Sequence, residues 1–133
     1  ITLNGMKLTT LPARHGIPGC GFRVERDGVA LAFSGDTADC PEFWEAVKKD
    51  DVLKAVIVEC SYTASMQAMA SLSMHLDTNT LLPRLTALPN SVTPVIVHRK
   101  PGLESQIAAE LTAGLPGKEL LFPHASEELI FAV

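Results

Sequence analysis

No apolar run in this chain approaches the roughly 18 residues that a membrane-spanning helix needs, so a membrane span is not expected. A basic excess is also missing. Eleven Lys and Arg stand against 15 Asp and Glu, for a net charge of −4 and a pI of about 5.5. That balance argues against a broad nucleic-acid surface, although a small anionic substrate remains compatible if metal ions neutralise it locally. Cysteine is scarce. Cys20, Cys40 and Cys60 are odd in number and widely spaced, which argues against a disulfide framework and a cysteine-rich zinc site. A reducing, cytoplasmic setting is the simplest expectation. The chain has no signal-peptide pattern at its start. It opens at Ile1 rather than Met, so a processed or partial polypeptide is expected.

What is present is a globular composition: 47% hydrophobic and 20% charged over 133 residues, enough for one domain with its own core. The first third reads as β. Apolar residues recur from Ile1 to Ala13 around Asn4-Gly5. Gly21–Arg26 and Val29–Ser34 are strand candidates joined by Asp27-Gly28, a strong type I′ hairpin signal. From Pro41 helices and strands alternate. Pro41 suits a first helical position, and the helix it opens ends in Lys48-Lys49. Lys54–Glu59 is a short apolar run typical of a buried strand. Helices are expected over Ser65–Leu72 and Thr78–Leu88. The second should begin near Asn79 or Thr80, which keeps Pro83 in its first turn. Val92–His98 reads as a strand interrupted early by Pro94. Leu103–Ala113 reads as a helix with Gly114 as its C-cap. Glu119–Phe122 and Glu128–Val133 are expected as terminal strands. The sum is an α/β (α+β) domain with a mixed sheet.

Chemistry-bearing residues fall at the ends of these runs. Phe33-Ser34-Gly35-Asp36-Thr37 places a carboxylate on a sharp turn after a strand. Arg14-His15-Gly16 places a His in a glycine-rich loop that lets the backbone approach a centre closely. Val95-Ile96-Val97-His98 places a second His at a strand end, with Arg99-Lys100 behind it as a candidate phosphate hold. An Asp and two His converging there would make a borderline metal site. His75 stands ahead of a helix start, where it can serve as a general acid. Glu59 ends a buried strand and can orient a ligand. His124 reads as a surface residue.

This order of motifs resembles the metallo-β-lactamase fold hydrolases, in particular class II cyclic-nucleotide phosphodiesterases and tRNA 3′-processing ribonucleases. The matching segments are His15-Gly16 leading to Gly21-Phe22, then Ser34-Gly35-Asp36-Thr37, Phe43-Trp44 and Ile57-Val58-Glu59. Met74-His75-Leu76-Asp77-Thr78 and His98-Arg99-Lys100-Pro101 complete the series. Met74 stands where the family usually has Gly, and Asp77-Thr78 where it has Thr-Pro. The resemblance spans roughly residues 8 to 113.

It implies the C-terminal portion of an αββα sandwich, with helices packed on one sheet face. It further implies two divalent metals, with zinc first and manganese or iron as alternatives. Asp36 would bridge them, His15 and His98 would each hold one, and His75 would be the catalytic acid. The implied substrate is a small phosphodiester such as a cyclic nucleotide. The family's N-terminal His-x-His-x-Asp-His motif is absent from these 133 residues. Three donors under-coordinate two zinc ions, which want about four ligands each. Weak or no activity of the chain alone is therefore expected, as is association with a second copy or with an N-terminal half. The alternative reading is a non-catalytic, truncated or degenerate domain that folds by dimerising. Gly35-Asp36-Thr37-Ala38-Asp39 is also similar to the acidic turn of haloacid-dehalogenase-type phosphatases, but the upstream Asp-x-Asp segment of that family is missing.

Overall fold

Two Asx–Gly pairs shape the first half of the sheet. Asn4-Gly5 and Asp27-Gly28 both hold positive φ at each residue, the backbone that a two-residue type I′ hairpin requires. The first joins β1 (Thr2–Leu3) to β2 (Met6–Pro12), and the second joins β3 (Cys20–Arg26) to β4 (Val29–Phe33). The computed structural model describes residues 1–131.

After β4 come α1 (Pro41–Lys48), β5 (Leu53–Glu59), a 3₁₀ turn (Ala64–Met66) and α2 (Gln67–Ser73). The series ends with α3 (Thr78–Thr86), β6 (Thr93–Val97) and α4 (Glu104–Gly114). The six strands form one sheet in sequence order. The first four pair antiparallel, while β4–β5 and β5–β6 pair parallel. β2, β4, β5 and β6 therefore all run the same way, and their C-terminal ends share one edge of the molecule. None of the described helices is long and apolar enough to cross a membrane.

The helices cover one face. Ala30, Ala32, Val56, Val58 and Ile96 point from the sheet into a cluster with Phe43, Trp44 and Val47 of α1. Leu81 and Leu85 of α3 and Ile107 and Leu111 of α4 complete it. Burying each such large side chain contributes roughly 1.5–3 kcal/mol. The other face carries the alternate residues. The registers place Leu8, Val24, Leu31 and Ala55 in one cross-strand row, and Thr10, Phe22, Phe33 and Ile57 in the next. No described helix packs on these rows. Leu8, Phe22, Val24, Leu31 and Ile57 are half-buried, Phe33 is exposed and Ala55 is buried.

Several local expectations are corrected. Helix α3 starts at Thr78, because Asp77 caps it by accepting from Thr80 N at 3.0 Å and from Thr80 Oγ1 at 2.7 Å. Pro83 consequently falls in the second turn rather than the first. Pro94 lies within β6, tolerated because β6 is an edge strand. Gly114 is the last residue of α4, not its cap. Its missing side chain admits Leu82 of α3, whose Cδ2 would lie 2.5 Å from a Cβ there. Glu119–Phe122 contributes only a single bridge, Leu121 to Val95. Residues 128–131 form no strand, and the last two residues of that expected strand lie outside the described ones.

Gly21 is the tightest glycine. A Cβ on it would overlap the Phe33 carbonyl oxygen and lie 3.0 Å from that of Ser34, at the base of the turn that carries Asp36. Gly21→Ala should destabilise the chain by about 1–3 kcal/mol through overpacking against backbone, read as a lowered midpoint in urea unfolding.

Candidate metal centre

The shared strand edge gathers the candidate residues. His15 follows β2, Asp36 follows β4, Glu59 ends β5 and His98 follows β6. His75 is carried in from the segment between α2 and α3, which is pinned beside β5. Ser61 N and Tyr62 N donate to Leu76 O at 3.0 and 3.2 Å, and Thr78 N donates to Tyr62 O at 3.1 Å. The His75 ring centre lies 4.8 Å from that of His15 and 5.2 Å from that of His98. Donor atoms of His15, Asp36 and His75 lie within 4.8 Å of one another, as do those of Glu59, His75 and His98. The sequence-predicted set is thus one cluster. His124 is exposed and lies outside it.

Each turn has a local cause. Gly35 adopts φ +63°, and a Cβ there would lie 3.2 Å from Cys20 O, so the Asp36 turn folds closely over the start of β3. Ser34 Oγ accepts from Glu59 N at 3.2 Å. Thr37 Oγ1 accepts from Arg14 N at 2.9 Å, and Ala38 N donates to Arg14 O at 2.7 Å. These bonds lock the His15 loop onto the Asp36 turn. Arg84 holds the far side of that turn by a two-pronged ion pair to Asp39, at 2.9 and 2.6 Å. His98 has φ +54°, a left-handed backbone that His adopts more often than most residues.

Glu59 lies at the middle of the cluster, 1% exposed. Its Oε1 accepts from Thr37 N and from His75 Nδ1, both at 2.7 Å. Its Oε2 accepts from Ser61 Oγ at 2.9 Å and from Leu76 N at 3.2 Å. Four donors use up the carboxylate, so Glu59 orients the site and does not itself ligate. His75 keeps its Nδ1 proton for Glu59, which leaves Nε2 free. His15 likewise donates Nδ1–H to Met74 O at 3.0 Å. The Asp36 carboxylate is half-exposed, with His98 Nδ1 at 3.2 Å from Oδ1. Two imidazole nitrogens and a half-free carboxylate suit a zinc-like ion. The thiols do not compete. Burial, with the charges of Glu59 and Asp77 nearby, pushes Cys60 far up, burial also raises Cys40, and Cys20 belongs to no such cluster.

The cationic pair behind His98 behaves differently from the sequence expectation. Arg99 turns away, donating to Pro123 O at 2.8 Å and lying over the Phe122 ring. Lys100 instead lies over Tyr62, 5.9 Å from the ring centre, and Tyr62 in turn faces His75. Ser61 and the Met74 carbonyl were not legible as site groups. One hydroxyl among Ser61, Thr63 and Ser65 carries no mark of its own, and a backbone carbonyl carries none at all.

No family model and no curated protein matches the sequence. Solved structures do match. A metallo-β-lactamase fold protein, YhfI from Bacillus subtilis, aligns at TM-score 0.75 and 13% identity, covering 92% of this chain and 49% of that one. The short form of human tRNase Z aligns at 0.65 and 13%, covering 92% and 41%. Igni18, a metallo hydrolase from Ignicoccus hospitalis, aligns at 0.68 and 18%, covering 97% and 54%. This chain spans about half the length of each. It has the metallo-β-lactamase fold, over an extent that matches about half of such a protein.

Proposed function

We propose that this chain forms part of a divalent-metal hydrolase site acting on phosphodiesters, with a small substrate such as a cyclic nucleotide. The observation that carries this is the convergence of His15, Asp36, His75 and His98 on one edge, with the Nδ1 atoms of His15 and His75 already tethered. The likeness to tRNase Z and to a metallo hydrolase supports the reading. The small substrate rests on charge. Net charge is −4, Arg14 is paired with Glu42, and Arg99 turns away.

In this proposal His15 and His98 would each hold one ion through Nε2, and Asp36 would be shared between them. Zinc fits the donors best, with manganese or iron as alternatives. Metal held there would supply an activated water and neutralise charge on the phosphate. In its doubly protonated form His75 would give its Nε2 proton to the leaving oxygen and return to the Nδ1–H tautomer that Glu59 holds. Lys100, which lies over the Tyr62 ring, would meet a phosphate oxygen in this reading.

Three donors leave two ions short of ligands, so a further body completes the site. We propose that it also covers the open sheet face, since the chain accounts for only 41–54% of the matched structures' lengths. The same face favours the second reading, a non-catalytic domain that folds by pairing with its own copy.

Elemental analysis after dialysis against zinc should find bound metal that the Asp36→Ala variant loses. A folded chain that takes up none favours the non-catalytic reading instead. The 133-residue chain alone should self-associate through the open face, and Val24→Lys, in the middle of that face, should shift it to monomer in analytical ultracentrifugation. Self-association that persists unchanged in the variant places the contact elsewhere.

A further inference from the structure

We infer that Ser61 is a positioning residue that passes the orienting effect of Glu59 on to His98, so that one buried carboxylate sets both imidazoles. The inference deepens the proposed metal site and rests on that reading for its purpose, but not for its geometry.

Ser61 is fully buried. Its hydroxyl has one proton and three partners: Glu59 Oε2 at 2.9 Å, His98 O at 3.2 Å and His98 Nδ1 at 3.2 Å. The proton goes to the carboxylate, the nearest partner and the one that carries charge. Toward His98 Nδ1 the hydroxyl oxygen is then an acceptor only. Asp36 Oδ1, 3.2 Å from the same nitrogen, also only accepts. Both demand a proton on Nδ1, and Nε2 is left with its lone pair free. His75 reaches the same state directly, through Oε1 of the same Glu59.

The two holds on His98 differ in what else they must do. In the proposed site the Asp36 carboxylate is taken up by metal. Ser61, saturated by Glu59 behind it, is the group that keeps the tautomer once the site is loaded. Partners of this kind typically change metal affinity 10- to 100-fold.

The test is the histidine tautomer pattern in long-range ¹H–¹⁵N spectra of the metal-free chain. His75 and His98 should both be protonated at Nδ1 and bare at Nε2. Asp36→Ala should leave both unchanged, because Ser61 still holds His98. Asp36→Ala with Ser61→Ala should release His98 into a mixture rich in Nε2–H while His75 stays as it was, which also shows that the site remains folded. Asp36→Ala with Ser61→Thr should restore the original pattern. His98 protonated at Nε2 in the unmodified chain overturns the inference. So does a double alanine variant in which His98 does not change, or in which His75 changes equally. If the tautomers respond as expected but zinc does not bind, the hydrolase reading fails and the relay stands. If zinc binds and the tautomers do not respond, the relay alone fails.

Discussion

A buried carboxylate is costly to keep charged unless every lone pair is used, since an uncompensated charge in a protein interior costs several kcal/mol. Glu59 meets that demand with four donors drawn from three separate segments: Thr37 from the Asp36 turn, Ser61 from the end of its own strand, and His75 and Leu76 from the segment before α3. The dependence runs both ways. Glu59 is satisfied only when the three segments stand where they do, and those segments set the positions of Asp36, His98 and His75. Each donor left without its acceptor would cost about 1–3 kcal/mol. The cluster is therefore preorganised by a group whose own oxygens are fully engaged within the chain.

The sheet direction supplies the rest. A parallel arrangement of β4, β5 and β6 delivers three consecutive strand ends to one edge, and two reversals bring β2 to the same edge. This is why residues as far apart as His15 and His98 both come to lie beside His75. One sheet layer presents one side of the proposed centre, and no described helix packs on its other face.

Much of this was legible in the sequence because it depends on local rules. Asp27-Gly28 announced its hairpin, Pro41 its helix start, and the run before Glu59 its buried strand. The ordered series His15, Asp36, Glu59, His75 and His98 pointed to one site, and the structure brings all five together. What failed depended on partners distant in sequence. Gly114 looked like a helix cap, but its role is set by Leu82 across the helix pair. Pro83 looked like a first-turn residue, until Asp77 and Thr80 fixed the start earlier. Arg99 looked like a phosphate hold, yet it is engaged by Pro123 and Phe122. Ser61 gave no signal, since only the fold places its hydroxyl between Glu59 and His98.

The central claim is that His15, Asp36 and His98 hold divalent metal on this edge. X-ray diffraction from zinc-soaked crystals, recorded on both sides of the zinc absorption edge, tests it most directly. The account predicts anomalous peaks within about 2.0–2.2 Å of His15 Nε2, His98 Nε2 and the Asp36 carboxylate, with none on Glu59. A chain that stays folded but shows no zinc there, or zinc bound only at Cys20 or His124, would contradict it.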